Sequence, residues 1–245
     1  MNHFSSLRLQ SRSLLVHHHL GLGDHLDCNG MIRNYAESPQ WDMVYVFAKR
    51  NHIDMIKYMY RDNQKIDVIP IDPDPAREFG EVDKVVKNNP YASVIINGHE
   101  YYNASLEESN NKNCWEQFYE LAHLDKSVRW EGFYYEKDPE NEKRVLDKLN
   151  PTGEEYIFVH DDPSRGFYVD NEKIKNKLKV IKNDPTENIF HFTDVILNAK
   201  EVHCMESSFK SLVELLKPKA KLFFHDFRGH PLGDNTANWT IVDYK

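Results

Sequence analysis

The chain has 245 residues, with 31 Lys and Arg against 39 Asp and Glu, and a formal net charge of −8. That length allows one large domain or two small ones. A composition that is 40 % hydrophobic and 12 % aromatic excludes a disordered chain, and the acidic balance argues against a nucleic-acid-binding module, whose footprint is basic.

In chain order, residues 13–20 (SLLVHHHL) read as a strand, 21–24 (GLGD) as a tight turn and 26–37 as a helix. Residues 43–48 (MVYVFA) form a second expected strand, 54–61 a helix and 66–71 (IDVIPI) a third strand. A helix over 76–88 and a strand over 93–97 (SVIIN) follow. Such alternation indicates a parallel sheet with crossover helices. Residues 103–113 are polar and Asn-rich, which suits a loop; 115–124 (WEQFYELAHL) suit an amphipathic helix, 130–135 are aromatic-rich, and 138–150 suit a solvated helix. The rhythm then restarts with a strand over 156–160 (YIFVH), an ambiguous stretch over 169–182 and a short helix over 194–199. A strand over 201–205, a helix over 208–216 and a strand over 221–225 complete it. The expectation is an α/β fold of two small Rossmann-like domains facing a cleft, 1–125 and 126–245.

No run approaches the ~20 apolar residues that span a bilayer. The opening segment carries Arg8 and Arg12 without an apolar run and small-residue cleavage site, so a secretory signal is not expected. Three distant cysteines, Cys28, Cys114 and Cys204, offer neither a disulfide framework nor a zinc-binding pair. Reduced thiols in the cytoplasm are the expectation.

Three segments carry the chemistry-bearing residues. In His17-His18-His19-Leu20-Gly21-Leu22-Gly23-Asp24-His25 a strand ends, Gly21 and Gly23 make a turn, and a helix starts near Asp24. Ligands of open α/β sheets bind at the carboxyl ends of strands. The run is neither a dinucleotide fingerprint, since Leu26 falls where the third glycine belongs, nor a P-loop. Asp24 is either a helix cap or a general base, with His19 or His25 assisting. Strand alternation would point His17 and His19 to one side, so a metal cluster of His17, His19 and Asp24 or His25 is a further alternative. In the second segment, His160-Asp161-Asp162-Pro163-Ser164-Arg165-Gly166, the Arg165 fork suits a diphosphate; alternatively the acidic pair binds a cation, or pairs with Arg165 to order the loop. In the third, Glu206-Ser207-Ser208-Phe209 opens a helix whose N-terminus suits an anion, with Glu206 placed to accept from ribose hydroxyls. Asp72-Pro73-Asp74 reads either as a metal-holding DxD or as a plain turn.

Together these segments resemble a GT-B-type glycosyltransferase. The opening HHHLGLGDHLDCNGMIRNY resembles the acceptor-side loop of heptosyltransferase-like enzymes, and FVHDDPSRGF with VHCMESSFKSLVELL resembles the donor-side half shared with fucosyltransferase-like families. The fucosyltransferase-type loop reads His-x-Arg-x-Gly-Asp, whereas here Asp161 and Asp162 precede Arg165. The resemblance implies a transferase that moves a hexosyl or related sugar from a nucleotide-diphosphate sugar to a glycan or glycoconjugate acceptor. Asp24, His19 and His25 would be catalytic; Gly21, Gly23, His160, Arg165, Glu206, Ser207, Ser208 and Phe209 would hold the donor. No cofactor or metal is called for, no nucleic-acid partner is expected, and peripheral membrane contact is left open. The alternatives are a non-catalytic nucleotide or sugar-phosphate binding module, and a metal-dependent hydrolase built on His17 and His19.

Overall fold

The computed structural model describes residue 9 and residues 12–97, 114–228 and 237–244. The chain divides into two compact units, Met1–Glu136 and Lys137–Lys245. The expected loop at 103–113 lies outside the described residues. The division falls after Glu136, not after residue 125, because the intervening segment is built into the first unit. There Arg129 forms a buried ion pair with Asp27, and Gly132 packs directly on the backbone of Gly30.

In the first unit, β1 (Ser13–His17), β2 (Met43–Lys49), β3 (Ile66–Ile71) and β4 (Ser93–Ile96) are all parallel, in the order β3-β2-β1-β4. Every residue of β1 is buried, as expected for a central strand covered on both faces, which reads as a continuous apolar run. The helices are α1 (Leu22–Asp27), α2 (Asn29–Glu37), α3 (Ile53–Tyr60), α4 (Pro75–Asn88), α5 (Cys114–Leu121) and α6 (Val128–Glu131). One core cluster joins Leu15, Phe47, Ile69 and Val82 across β1, β2, β3 and α4.

The second unit opens with α7 (Pro139–Leu149). Its strands are β5 (Tyr156–Val159), β6 (Lys179–Lys182), β7 (Glu201–Cys204), β8 (Lys221–Asp226) and β9 (Trp239–Asp243), again all parallel, in the order β6-β5-β7-β8-β9. Helices α8 (Thr193–Asn198) and α9 (Ser208–Leu216) precede and follow β7. The α/β class and the two Rossmann-like units are therefore as expected.

Several elements differ from the sequence reading. The strand expected through residue 20 stops at His17, and the helix expected from Leu26 begins at Leu22 and breaks at Cys28. Short α6 and edge strand β9 were not anticipated. Residues 169–182 resolve into a 3-10 turn and β6. Among the described residues, no helix is long and apolar enough to cross a membrane, and Cys28 and Cys204 are buried.

Each sheet has one point where the chain reverses its direction of travel across the strands. In the first unit the chain runs outward from β1 through β2 and β3, then crosses to β4 on the other side. In the second it leaves β5 for β6, then crosses to β7. Such switch points open a crevice at the carboxyl ends of the flanking strands. The residues singled out above follow β1 in one unit, and β5 and β7 in the other.

Candidate active site

At the end of β1 the three histidines separate. His17 is buried, with Nε2 3.0 Å from Glu78 Oε1 on α4. His18 is also buried, and its Nδ1 donates to the His19 carbonyl at 2.5 Å. Burial, only partly offset by that bond, pushes the His18 imidazole down to about 4. His19 turns the other way and donates from Nδ1 to Asp24 Oδ2 at 2.6 Å. The alternation assumed for a strand lapses because β1 ends at His17. His17 and His19 therefore do not converge, and among the described residues no group of three or more His, Cys, Asp or Glu side chains is arranged to hold a metal.

Asp24 sits at the third position of α1, and the Gly21 amide donates to its Oδ2 at 3.2 Å. Oδ2 thus accepts two N–H donors, while Oδ1 has no partner among the described residues. The side chains are partly open, 20 % exposed for Asp24 and 31 % for His19. The N-cap of α1 is Gly21, not Asp24; Asp24 satisfies the cap's own amide from the third helical position through Oδ2. Gly21 owes its identity to close approach and not to a left-handed backbone. Its φ is −70°, but a Cβ there would lie 2.6 Å from Asp24 Oδ2. Gly23 lies inside α1. His25 is fully buried, edge-on to His18 with ring centres 4.4 Å apart. Its ring nitrogens have no hydrogen-bond partner among the described residues, and burial lowers it well below the usual imidazole range. His19, not His25, is therefore the histidine that reaches Asp24.

In the second unit, Asp162 caps a 3-10 turn, accepting from the Arg165 amide, while Gly166 (φ 72°) turns the chain back. Arg165 donates from Nε to Asp162 Oδ2 at 2.6 Å and from Nη2 to the Glu206 carbonyl. It is 34 % exposed, and Nη1 has no partner among the described residues. Arg165 thus ties the loop after β5 to the loop after β7 and keeps donors in hand. Burial raises the Asp162 carboxyl, but the Ser164 hydroxyl and Arg165 outweigh it and hold the group below its usual range. Asp161 is committed to Lys182 and to the Val169 amide.

Ser207 is the N-cap of α9, accepting from the Lys210 amide and donating to the Met205 carbonyl. Ser208 is the first helical residue. Glu206 is 45 % exposed, with Oε2 3.7 Å from Lys210 Nζ. His160 and Phe209 are buried and stacked, ring centres 4.4 Å apart. Their stacking seats the start of α9 against the end of β5. Burial pushes His160 down to about 4. The sequence reading missed His225, Asp226 and Phe227, which line a shallow depression here with Met205 and Glu206. The rule that ligands gather at strand carboxyl ends, applied to the end of β8, finds them. A larger hollow of about 540 Å³ lies at the opposite end of β8 and β9, beside Lys217, Lys221 and Asn238.

The DxD motif is absorbed by local structure. Asp74 caps α4 by accepting from the Ala76 amide, and Asp72 accepts from the Asp74 amide and pairs with Arg50 and Arg77.

No protein-family model matches this chain, and no curated protein does. Solved structures match over nearly its whole length. A glycosyltransferase of family 9 from Veillonella parvula superposes with a TM-score of 0.59 at 10 % identity, covering 98 % of this chain and 88 % of that one. The E. coli ADP-heptose lipopolysaccharide heptosyltransferase II superposes at 0.53 with 9 % identity, covering 95 % and 90 %. The chain has the fold of these glycosyltransferases. At such identities the likeness is one of fold, and it extends over both units.

Proposed function

We propose that this protein is a glycosyltransferase that moves a hexosyl or related sugar from a nucleotide-diphosphate donor to a hydroxyl of a glycan or glycoconjugate. The observation that carries the reading is the Asp24 carboxylate. One oxygen is fixed by the His19 ring and the Gly21 amide, the other is unengaged among the described residues, and the group stands at the switch point of a sheet whose fold is shared with glycosyltransferases. Asp24 takes the proton of the acceptor hydroxyl, the acceptor oxygen bonds to the anomeric carbon, and the bond from that carbon to the diphosphate oxygen breaks. In the second unit, Arg165 and the N-terminus of α9 at Ser207 and Ser208 neutralise the departing nucleoside diphosphate, and Glu206 accepts from the ribose. With Asp72 and Asp74 committed to a turn and a cap, this scheme runs without a metal. A reducing, cytoplasmic setting belongs to the same proposal, and the buried Cys204 thiol supports it.

The test is nucleoside diphosphate release from a panel of nucleotide sugars, with and without EDTA. ADP sugars head the panel, because the E. coli neighbour is by name an ADP-heptose enzyme. Release from at least one donor in both conditions is expected. Silence across the panel overturns the reading, and activity lost in EDTA and restored by Mn²⁺ overturns its metal-free part.

A further inference from the structure

Asp24 rides on a helix too short to hold its own direction. α1 spans six residues, and helices of that length are marginal without tertiary support. The support comes from the segment 114–135. Arg129 is 1 % exposed, and it donates from Nε and Nη2 to Asp27 Oδ1 at 3.1 and 2.6 Å. Its guanidinium lies over the rings of Trp115 and Trp130, 4.6 and 5.0 Å from their centres. The Tyr119 hydroxyl donates to the Asp27 carbonyl at 2.9 Å and accepts from the Met31 amide at 3.2 Å. Asp27 is three residues beyond Asp24, so its side chain is fixed on the adjoining turn of the same helix.

We propose that Arg129 is a positioning residue for Asp24: by holding Asp27 with a planar fork of donors packed against two indole rings, it sets the direction in which α1 presents the catalytic carboxylate. This rests on the reading of Asp24 as the base. A planar guanidinium fixes both angle and distance, which a lysine ammonium does not. Displacements of about 1 Å at a reacting group cost up to about 100-fold in rate.

The experiment uses the full chain with the donor that the wild type consumes. Steady-state kcat, the Kd for the matching nucleoside diphosphate and the melting temperature are measured for Arg129→Ala, Arg129→Lys and Tyr119→Phe. The expected result is kcat reduced about 100-fold in Arg129→Ala, about 10-fold in Arg129→Lys and a few-fold in Tyr119→Phe, with Kd unchanged within about two-fold. Partial rescue by Lys, and a kcat loss that persists well below each variant's own melting temperature, are what a purely structural role does not produce; the unchanged Kd shows that the second unit is intact. Should Arg129→Ala fail to fold, the other two variants carry the test. Wild-type kcat in a folded Arg129→Lys, or parallel losses in kcat and affinity, overturns the positioning role while leaving Asp24 as base. An inactive wild type, or a fully active Asp24→Asn, overturns the underlying reading as well.

Discussion

Nδ1 of His19 lies 2.6 Å from Oδ2 of Asp24, across the turn between β1 and α1. A carboxylate oxygen only accepts, so Nδ1 of the His19 ring carries the proton in this contact. His19 therefore orients the carboxylate while the Gly21 amide holds the same oxygen. His19→Ala removes one of the two donors to Oδ2. It is expected to lower kcat by about 10-fold, at the low end of general-base effects because the base itself remains, with nucleoside diphosphate affinity unchanged. Steady-state kinetics beside calorimetric titration of the nucleotide check this.

Gly21→Ala tests the same geometry from the backbone side. The new Cβ would stand 2.6 Å from Asp24 Oδ2, while a φ of −70° is open to alanine. The carboxylate must move and the fold need not. The expected outcome is kcat lowered by about 10- to 100-fold with a melting temperature close to wild type; a fully active variant would show that the carboxylate's placement is not critical.

Arg165→Ala removes the tie between the two loops of the second unit, together with the Nη1 donor. Charge-assisted hydrogen bonds contribute about 1.5–3 kcal/mol, so the donor KM is expected to rise by at least about 10-fold. Arg165→Lys should recover part of that loss. An unchanged KM in Arg165→Ala would assign the residue to loop order alone.

Much of this arrangement is legible in sequence, and the gaps have physical causes. Buried parallel strands such as SLLV, MVYVFA and YIFV announce themselves because both faces are apolar, and their ends locate the loops at Asp24, Arg165 and Ser207. The direction of side chains beyond a strand end is another matter. Once β1 stops at His17, period-two alternation no longer governs His18 and His19, so the pairing of His19 with Asp24, and of His17 with Glu78 on α4, depends on tertiary placement. The Arg129–Asp27 ion pair joins residues 102 positions apart, and no local pattern encodes it. β9 escapes notice because an edge strand with an exposed Thr240 and Ile241 lacks the apolar run that marks the central strands.

The buried histidines make stability depend on pH. Burial is the chief cause that pushes His18 and His160 down to about 4 and His225 to about 3, whereas unfolded histidines titrate near 6.5. Above that pH the rings are neutral in both states and contribute nothing. As pH falls from 6.5 towards 4, the unfolded chain takes up protons that the folded chain refuses, and stability drops by at most about 1.4 kcal/mol per pH unit for each histidine. The melting temperature should hold from pH 8 to 7 and fall clearly between 6.5 and 5. A flat profile down to pH 5 would mean that these rings accept protons in the folded state.

The most direct measurement compares wild type with Asp24→Asn on the nucleotide sugar that the wild type consumes, recording kcat and the Kd for the nucleoside diphosphate in the same preparations. Removal of the base should lower kcat by about 100- to 10,000-fold and leave the Kd nearly untouched, since the nucleotide is assigned to the second unit. An Asp24→Asn protein that turns over at the wild-type rate would contradict the assignment of this carboxylate as the base of a glycosyl transfer.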